Sequence, residues 1–316
     1  MSRPRTLVPP ANVTAGRLAT ARGEFAVLDG APAGPDRTDG ASRGVALLLP
    51  GFTGSKEDFL DLLAPLTGAG YRVVAVDGRG QHETPGPREE AAYAQDALAA
   101  DILAQTAALA DRYGAGPGGA PLHVLGHSLG GHLVRAAVLS AAARGALPYS
   151  SVTLMSSGPA AVSEQQQART RLLVEYLPTV DMETAWQAMN AMDARPTPDT
   201  DGTAGPGPEP TGLADFLHRR WLGTVPEQLI ATARQLMTET DRVGELAAVP
   251  VPKLVLSGEQ DYAWPVPWLD EMADRLGARR VVVKGAEHSP NAERPAETAA
   301  ALLDFWAGAG KTDDRA

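Results

Sequence analysis

Cysteine is absent from all 316 residues. That excludes disulfides, thiolate nucleophiles and cysteine-ligated metals. Basic clusters are also missing, and the formal net charge is −10. Such a surface argues against nucleic acid or an anionic membrane as partner. No apolar run approaches the length of a membrane span. Met1 to Gly16 carries Arg3 and Arg5 but no apolar stretch behind them, so no signal peptide is read. These absences lead to the expectation of a soluble, cytoplasmic protein.

What is present is an ordinary globular balance, 44% hydrophobic and 21% charged. Residues 1–16 look irregular, with Pro9 and Pro10 opposing regular pairing. Arg17–Leu28 reads as two short strands or one hairpin, and Asp29–Gly44 as a turn region. Val45–Leu49 is a short, continuously apolar run, the pattern of a strand buried on both faces, and Tyr71–Val76, Leu122–Leu125 and Ser151–Met155 read as further short strands. Helical patterns lie between them: Glu57–Leu66 with Ser55 as N-cap, Glu89–Tyr113, and Leu133–Ala143. From Ser163 to about Val249 only helices are read. Ser163 with Gln166 suggests a capping box, and Asp181–Asp193 aligns Met182, Ala185, Trp186 and Met189 on one stripe. Arg195–Pro210 is a Pro/Gly-dense linker, followed by helices at Thr211–Leu222 and Pro226–Thr240. Alternation then resumes with strand Lys253–Ser257, helix Pro265–Leu276, strand Arg280–Val283 and helix Ala292–Ala307. The fold class expected is α/β: a mostly parallel central sheet flanked by helices, with an inserted helical lid. The core comprises 1–159 and 250–316, and the lid 160–249. A lid at that point covers the carboxyl edge of the sheet, where open α/β sheets bind ligands.

The chain is organised around Pro121–His132. A strand ends at Gly126, Gly-His-Ser-Leu-Gly follows, and a helix begins at once. In this context G-x-S-x-G is a nucleophile elbow, a strained turn that lifts Ser128 above the sheet. A serine hydroxyl needs a base, and the base needs an orienting carboxylate. Each should lie just past a strand's carboxyl end. Asp261 follows the strand ending at Leu256, and His288 follows the strand ending at Val283. The order Ser128, Asp261, His288 matches this elbow. Rivals for the acid are Glu259 and Asp270; the strand before the lid ends at Ser156-Ser157 with no acid. The backbone N–H groups of Leu129 and Phe52 are the expected oxyanion donors. The ring of Phe52, with Trp186 and Trp264, is a candidate substrate contact. Met189 and Met192 read as lid core. His127 reads as structural beneath the elbow, and His132 as packing. His82, His123 and His218 have no partner in sequence, so no metal site and no cofactor are implied.

With those residues in place, the sequence resembles the α/β-hydrolase family, in its branch of lidded serine hydrolases, over about residues 45 to 307. The matching segments are Leu49-Pro-Gly-Phe-Thr-Gly-Ser55, Asp77-Gly-Arg-Gly80, Gly126-His-Ser-Leu-Gly130, Ser257-Gly-Glu-Gln-Asp261 and Gly285-Ala-Glu-His-Ser-Pro290. Three departures stand out. Pro50 replaces the usual His of a His-Gly oxyanion segment, Glu287 replaces the usual Gly before the catalytic His, and Gln81-His82 replaces His-Gly. The resemblance implies a cofactor-independent, carboxylesterase-like enzyme acting on a small-molecule ester, lactone or thioester through an acyl-enzyme on Ser128. Alternatives on the same site are C–C cleavage, acyl transfer, and a non-hydrolytic cyclisation or elimination. A non-catalytic ligand receptor is a further alternative. Epoxide-opening and dehalogenating branches are disfavoured, because they carry Asp where Ser128 stands.

Overall fold

A computed structural model describes residues 2–33, 42–193 and 209–309. Its strands are β1 (Val13–Thr20), β2 (Gly23–Gly30), β3 (Val45–Leu49), β4 (Arg72–Val76), β5 (Leu122–His127), β6 (Ser151–Met155), β7 (Lys253–Gly258) and β8 (Arg279–Val283). They form one sheet in the order β1-β2-β4-β3-β5-β6-β7-β8. The β1–β2 and β2–β4 pairs are antiparallel, and every other pair is parallel. Strands β3, β5, β6 and β7 are buried along their whole length, so none shows the in-out alternation of a half-exposed strand, and β3 is an unbroken apolar run.

The helices are α1 (Leu60–Gly68), α2 (Gln95–Tyr113), α3 (Leu129–Ala143), α4 (Glu164–Tyr176), α5 (Met182–Asp193), α6 (Leu213–Gly223), α7 (Pro226–Thr238), α8 (Val243–Ala247), α9 (Val266–Leu276), α10 (Pro290–Glu293) and α11 (Pro295–Ala309). Alternate residues of the central strands feed two separate cores. On one face Val45, Leu47 and Leu49 pack with Ile102 of α2, Val134 and Val138 of α3 and Met272 of α9. On the other, Ala46 and Leu48 pack with Leu63 and Leu66 of α1 and Leu302 and Trp306 of α11.

Several boundaries differ from the sequence reading, each for a local reason. β1 starts at Val13, not Arg17. It is an edge strand with only Leu18 buried, so it has little hydrophobic pattern to read. The expected helix Glu57–Leu66 opens as a 3₁₀ turn over Lys56–Phe59, where the Asp58 carboxylate accepts from the Ser55 N–H at 3.3 Å. The expected helix Glu89–Tyr113 breaks at Ala94, whose ψ is 146°. There the Tyr93 carbonyl accepts from Gln235 Nε2 of α7 at 2.6 Å instead of from its own helix. The last helix is interrupted at Arg294, because the residue before Pro295 is sterically driven out of helical geometry. The linker read over Arg195–Pro210 lies outside the described residues except for its last two positions. The turn region Asp29–Gly44 lies partly outside them too.

Between β6 and β7 the described residues contain only helices, α4 to α8. The Val162 and Ala161 N–H groups donate to the Leu236 and Glu239 carbonyls, tying the end of α7 to the chain leaving β6. Arg220 of α6 donates to Asp58 Oδ1 at 2.6 Å and to the Ser2 carbonyl at 3.0 Å, with both charged side chains almost fully buried. Burial raises the Asp58 pKa to about 6, only partly offset by the Arg220 charge. None of the described helices is long and apolar enough to cross a membrane.

Removing one member of a buried ion pair strands the other. Arg220→Met is therefore expected to cost about 3–5 kcal/mol in denaturant unfolding at pH 7. Asp58→Asn/Arg220→Met should regain most of that loss. The deficit of the single variant should also shrink toward acid pH, because a stranded carboxylate with a raised pKa is relieved by taking a proton. Equal losses in the single and double variants would show that the ion pair is not what joins α6 to the core.

Candidate active site

The strand order reverses between β3 and β5: from β3 the chain continues to β4 on one side, whereas β5 leads to β6 on the other. A crevice opens at the carboxyl ends of strands where such a reversal occurs. Leu49 at the end of β3 pairs with Gly126 near the end of β5, so the Pro50-Gly51-Phe52 loop and the Ser128 turn leave the sheet side by side. Their closeness is tight: a Cβ on Gly51 would lie 3.1 Å from the Ser128 Cβ, and one on Gly130 would lie 2.6 Å from the Pro50 carbonyl oxygen. Gly126 is also required, because its Cβ would meet the Gly130 carbonyl at 2.2 Å. Ser128 has φ 54° and ψ −120°, a strained conformation for a residue with a side chain. Leu129 opens α3, one residue past the elbow serine and earlier than the Leu133 start read from sequence. Neither the Phe52 N–H nor the Leu129 N–H has an acceptor among the described residues.

Ser128, Asp261 and His288 come from the ends of β5, β7 and β8, and the fold brings them together. His288 Nε2 lies 3.0 Å from Ser128 Oγ. On its other side His288 Nδ1 lies 2.9 Å from both Asp261 oxygens. Asp261 Oδ1 also accepts from the Ala263 and Trp264 N–H groups at 2.8 and 3.1 Å. A carboxylate held by backbone donors keeps one orientation, so it presents a fixed acceptor to the imidazole. The rivals lie elsewhere: Glu259 is exposed and accepts from the Gly285 N–H at 3.1 Å, and Asp270 pairs with Arg280 at the surface.

Several supporting contacts are not apparent from the sequence. His127 Nε2 donates to the His288 carbonyl at 2.8 Å, so the residue beneath the elbow also holds the histidine loop. The Glu293 carboxylate accepts from the Glu287 and Ser289 N–H groups on either side of His288. Glu287 itself is exposed. Gln81 Nε2 donates to the Gly51 and Phe52 carbonyls at 2.9 and 3.3 Å. The His127 and Gln81 contacts carry no local motif, because each joins segments distant in sequence.

The candidate substrate contacts divide. Phe52 packs against the cluster formed by Leu177, Ala185, Trp221, Leu229 and Ile230 of the helical insertion, and Trp186 borders the same cluster. Trp186 also packs against the Trp221 and His218 rings. Trp264, by contrast, has no exposed surface. Its indole N–H donates to the Ala160 carbonyl at 2.9 Å, and its ring stacks 6.2 Å from the His288 ring. Gly158 makes room for it, since a Cβ there would lie 2.1 Å from the indole. The expectation that Trp264 touches substrate is therefore corrected. The ring is packed against the imidazole and the chain at Ala160, and leaves no face open to a ligand. Met189 also packs on the insertion's cluster, while the side chain of Met192 lies outside the described residues.

Among the described residues no cluster of three or more His, Asp or Glu side chains is arranged to hold a metal. His132 packs edge-on against Trp264 and bonds the Gly158 carbonyl.

Residues 46–301 match the model of the alpha/beta hydrolase family. The chain belongs to that family. Among curated proteins it is similar to epoxide hydrolase A of Mycobacterium tuberculosis, 25% identical over 308 residues, covering 84% of this chain and 90% of that protein. An esterase from Exiguobacterium antarcticum shares the fold at TM-score 0.70 and 17% identity, covering 93% of this chain and all of that one. A thermophilic esterase from Thermogutta terrifontis, solved with malate bound, does so at TM-score 0.67 and 18% identity, covering 94% and 100%. The family and these relatives support a hydrolase.

Burial holds the His127 pKa down at about 3 and that of His132 well below its usual value. Imidazole NMR should therefore find both rings neutral across pH 5 to 8. In the unfolded chain each takes up a proton near its ordinary value of about 6.5, so both should contribute a loss of stability as pH falls below that point. A ring that titrates above pH 5 in the folded protein would contradict this placement.

Proposed function

We propose that the protein is a serine hydrolase that cleaves a small to medium apolar ester, lactone or thioester through an acyl-enzyme on Ser128. The observation that carries this reading is the continuous hydrogen-bonded chain from Ser128 Oγ through His288 to Asp261. His288 Nε2 takes the Ser128 proton as Oγ attacks the substrate carbonyl carbon. The carbonyl π pair moves onto oxygen, and the oxyanion is met by the Phe52 and Leu129 N–H groups. Each such donor stabilises the transition state by roughly 3–4 kcal/mol. Collapse of the tetrahedral adduct expels the alcohol, lactone oxygen or thiol, which receives the proton held on His288. Water then attacks the acyl-enzyme, with His288 again taking and returning a proton. Asp261 keeps the Nδ1–H tautomer in place and stabilises the imidazolium.

The epoxide-hydrolase relative raises a different reaction, and the nucleophile argues against it here. A serine that opened an epoxide would form an ether, which water cannot resolve at a carbonyl. A serine that takes an acyl group forms an ester, which it can. The helical insertion, residues 160–249, serves in this reading as a lid. Phe52 and Trp186 border its apolar cluster, and that supports an apolar acyl or alcohol group. No metal or cofactor has a role in these steps. A soluble cytoplasmic setting suits the absence of a long apolar helix among the described residues.

A fluorophosphonate probe should label the wild-type protein at Ser128 and leave Ser128→Ala unlabelled. Asp261→Asn should react about 10⁴-fold more slowly, because the wrong tautomer of His288 is then favoured. An unreactive wild-type protein, or Asp261→Asn at full rate, would count against the proposal.

A further inference from the structure

The proposed oxyanion donor Phe52 sits in a turn flanked by two glycines. Gly51 precedes it, and Gly54 follows two residues later. The Gly51 carbonyl and the Phe52 N–H belong to one planar peptide and point in opposite directions. Rotation of that unit by half a turn would direct the carbonyl oxygen, not the N–H, toward Ser128. Glycine at 51 eases the change in ψ that such a flip needs, while the side chain of Phe52 resists the matching change in φ. A contact to the Gly51 carbonyl adds to that preference for one orientation.

Gln81 makes that contact from the loop after β4. Its side chain is buried, and Nε2 donates to the Gly51 carbonyl at 2.9 Å and the Phe52 carbonyl at 3.3 Å. The direction of the amide is set from its other end: Oε1 accepts from the Gly78 N–H at 3.0 Å. An N–H only donates, so the oxygen must face Gly78 and the amino group must face the loop after β3. Gly78 has no side chain for a reason, since its Cβ would lie 2.5 Å from Gln81 Oε1. The turn is closed by the Gln81 N–H to the Gly78 carbonyl at 3.0 Å and the Thr84 N–H to the Gln81 carbonyl at 2.9 Å. At its base, Asp77 is anchored by Lys56 Nζ at 2.9 Å. The Gly54 N–H also reaches the Gly51 carbonyl, at 3.1 Å, but it belongs to the same short turn and would move with it.

We propose that Gln81 is a positioning residue for the oxyanion hole, holding the Gly51–Phe52 peptide with its N–H toward the oxygen that develops charge above Ser128. This rests on the serine-hydrolase reading. The bond also polarises the peptide. A carbonyl that accepts a strong hydrogen bond in a buried setting makes the N–H of its own amide a better donor. Gln81 touches no reacting atom; it acts through Phe52. Its effect is therefore confined to states in which the oxyanion exists.

The test is the rate of phosphonylation of Ser128 by a fluorophosphonate probe, measured in wild type, Gln81→Met and Gln81→Glu. Methionine keeps the length and loses both hydrogen-bonding ends. Gln81→Met is expected to react about tenfold to a hundredfold more slowly, less than or comparable to the loss of one oxyanion donor. Binding of a trifluoromethyl ketone, which forms an oxyanion on Ser128, should weaken by the same factor. Binding of the methylene analogue of that ketone, which has no carbonyl and forms no oxyanion, should stay within about twofold of wild type, since a residue acting only on the oxyanion leaves ground-state binding unchanged. Gln81→Glu supplies a second readout. As a carboxylate it cannot donate to the carbonyls, but when protonated it can donate while its other oxygen still accepts from Gly78. The ratio of its rate to that of Gln81→Met should therefore rise as pH falls.

A wild-type rate in Gln81→Met would overturn the proposal while leaving the serine mechanism intact. Equal weakening of the ketone and its methylene analogue, with a pH-independent ratio, would overturn it in favour of general support of the loop. A wild-type protein that resists the probe altogether would overturn both readings.

Discussion

The parallel pairing of β3 with β5 is the constraint on which the site depends. These two strands lie side by side but continue to opposite sides of the sheet. Their paired ends at Leu49 and Gly126 release two loops into the same crevice, one carrying Phe52 and the other Ser128. The approach is so close that glycine is needed at 126 and 130, and a Cβ at 51 would crowd the Ser128 Cβ at 3.1 Å. A shift of one strand against the other would separate the loop of Phe52 from Ser128. It would also turn the buried side chains of either strand toward the opposite core. Two independent hydrophobic cores, one on each face, oppose that shift.

Around the crevice, polar contacts do what apolar packing cannot, which is to fix orientation. Asp261 is held by two backbone N–H groups before it meets His288. The His288 backbone is held by His127 from below and its neighbours by Glu293 from outside. The His288 ring has Trp264 and Tyr262 beside it. Gln81 spans from the next loop to the Gly51–Phe52 peptide. Buried hydrogen bonds of this kind add only modestly to net stability, but leaving one unmade is costly. That asymmetry favours a single arrangement of the loops. The helical insertion is joined to this frame by another buried polar contact, Arg220 with Asp58, in addition to its apolar cluster.

Most of the architecture could be read from the chain. The four short runs read as strands appear as β3, β4, β5 and β6, and in β3 burial on both faces shows in composition alone. Ser128, Asp261 and His288 were selected by their place just past strand ends, and these three side chains meet in the folded chain. Edge strand β1 was read too short, since a mostly exposed strand has little to distinguish it from a loop. The break at Ala94 was missed because the contact that causes it comes from Gln235, far along the chain. Trp264 illustrates a different error: closeness to Asp261 in sequence says nothing about which side of the histidine a ring will occupy.

The sequence by itself determined the class of fold, the strained serine turn and the order of its partners, because these follow from hydrophobic period, glycine spacing and position relative to strand ends. Those signals are local, and each can be read within a dozen or so residues. Tertiary structure alone decided that Trp264 stands behind the imidazole, that His127 holds the loop of His288, and that Gln81 reaches Gly51. Each of these depends on side-chain direction across segments that meet only in the folded chain, and no local pattern of residues records that direction.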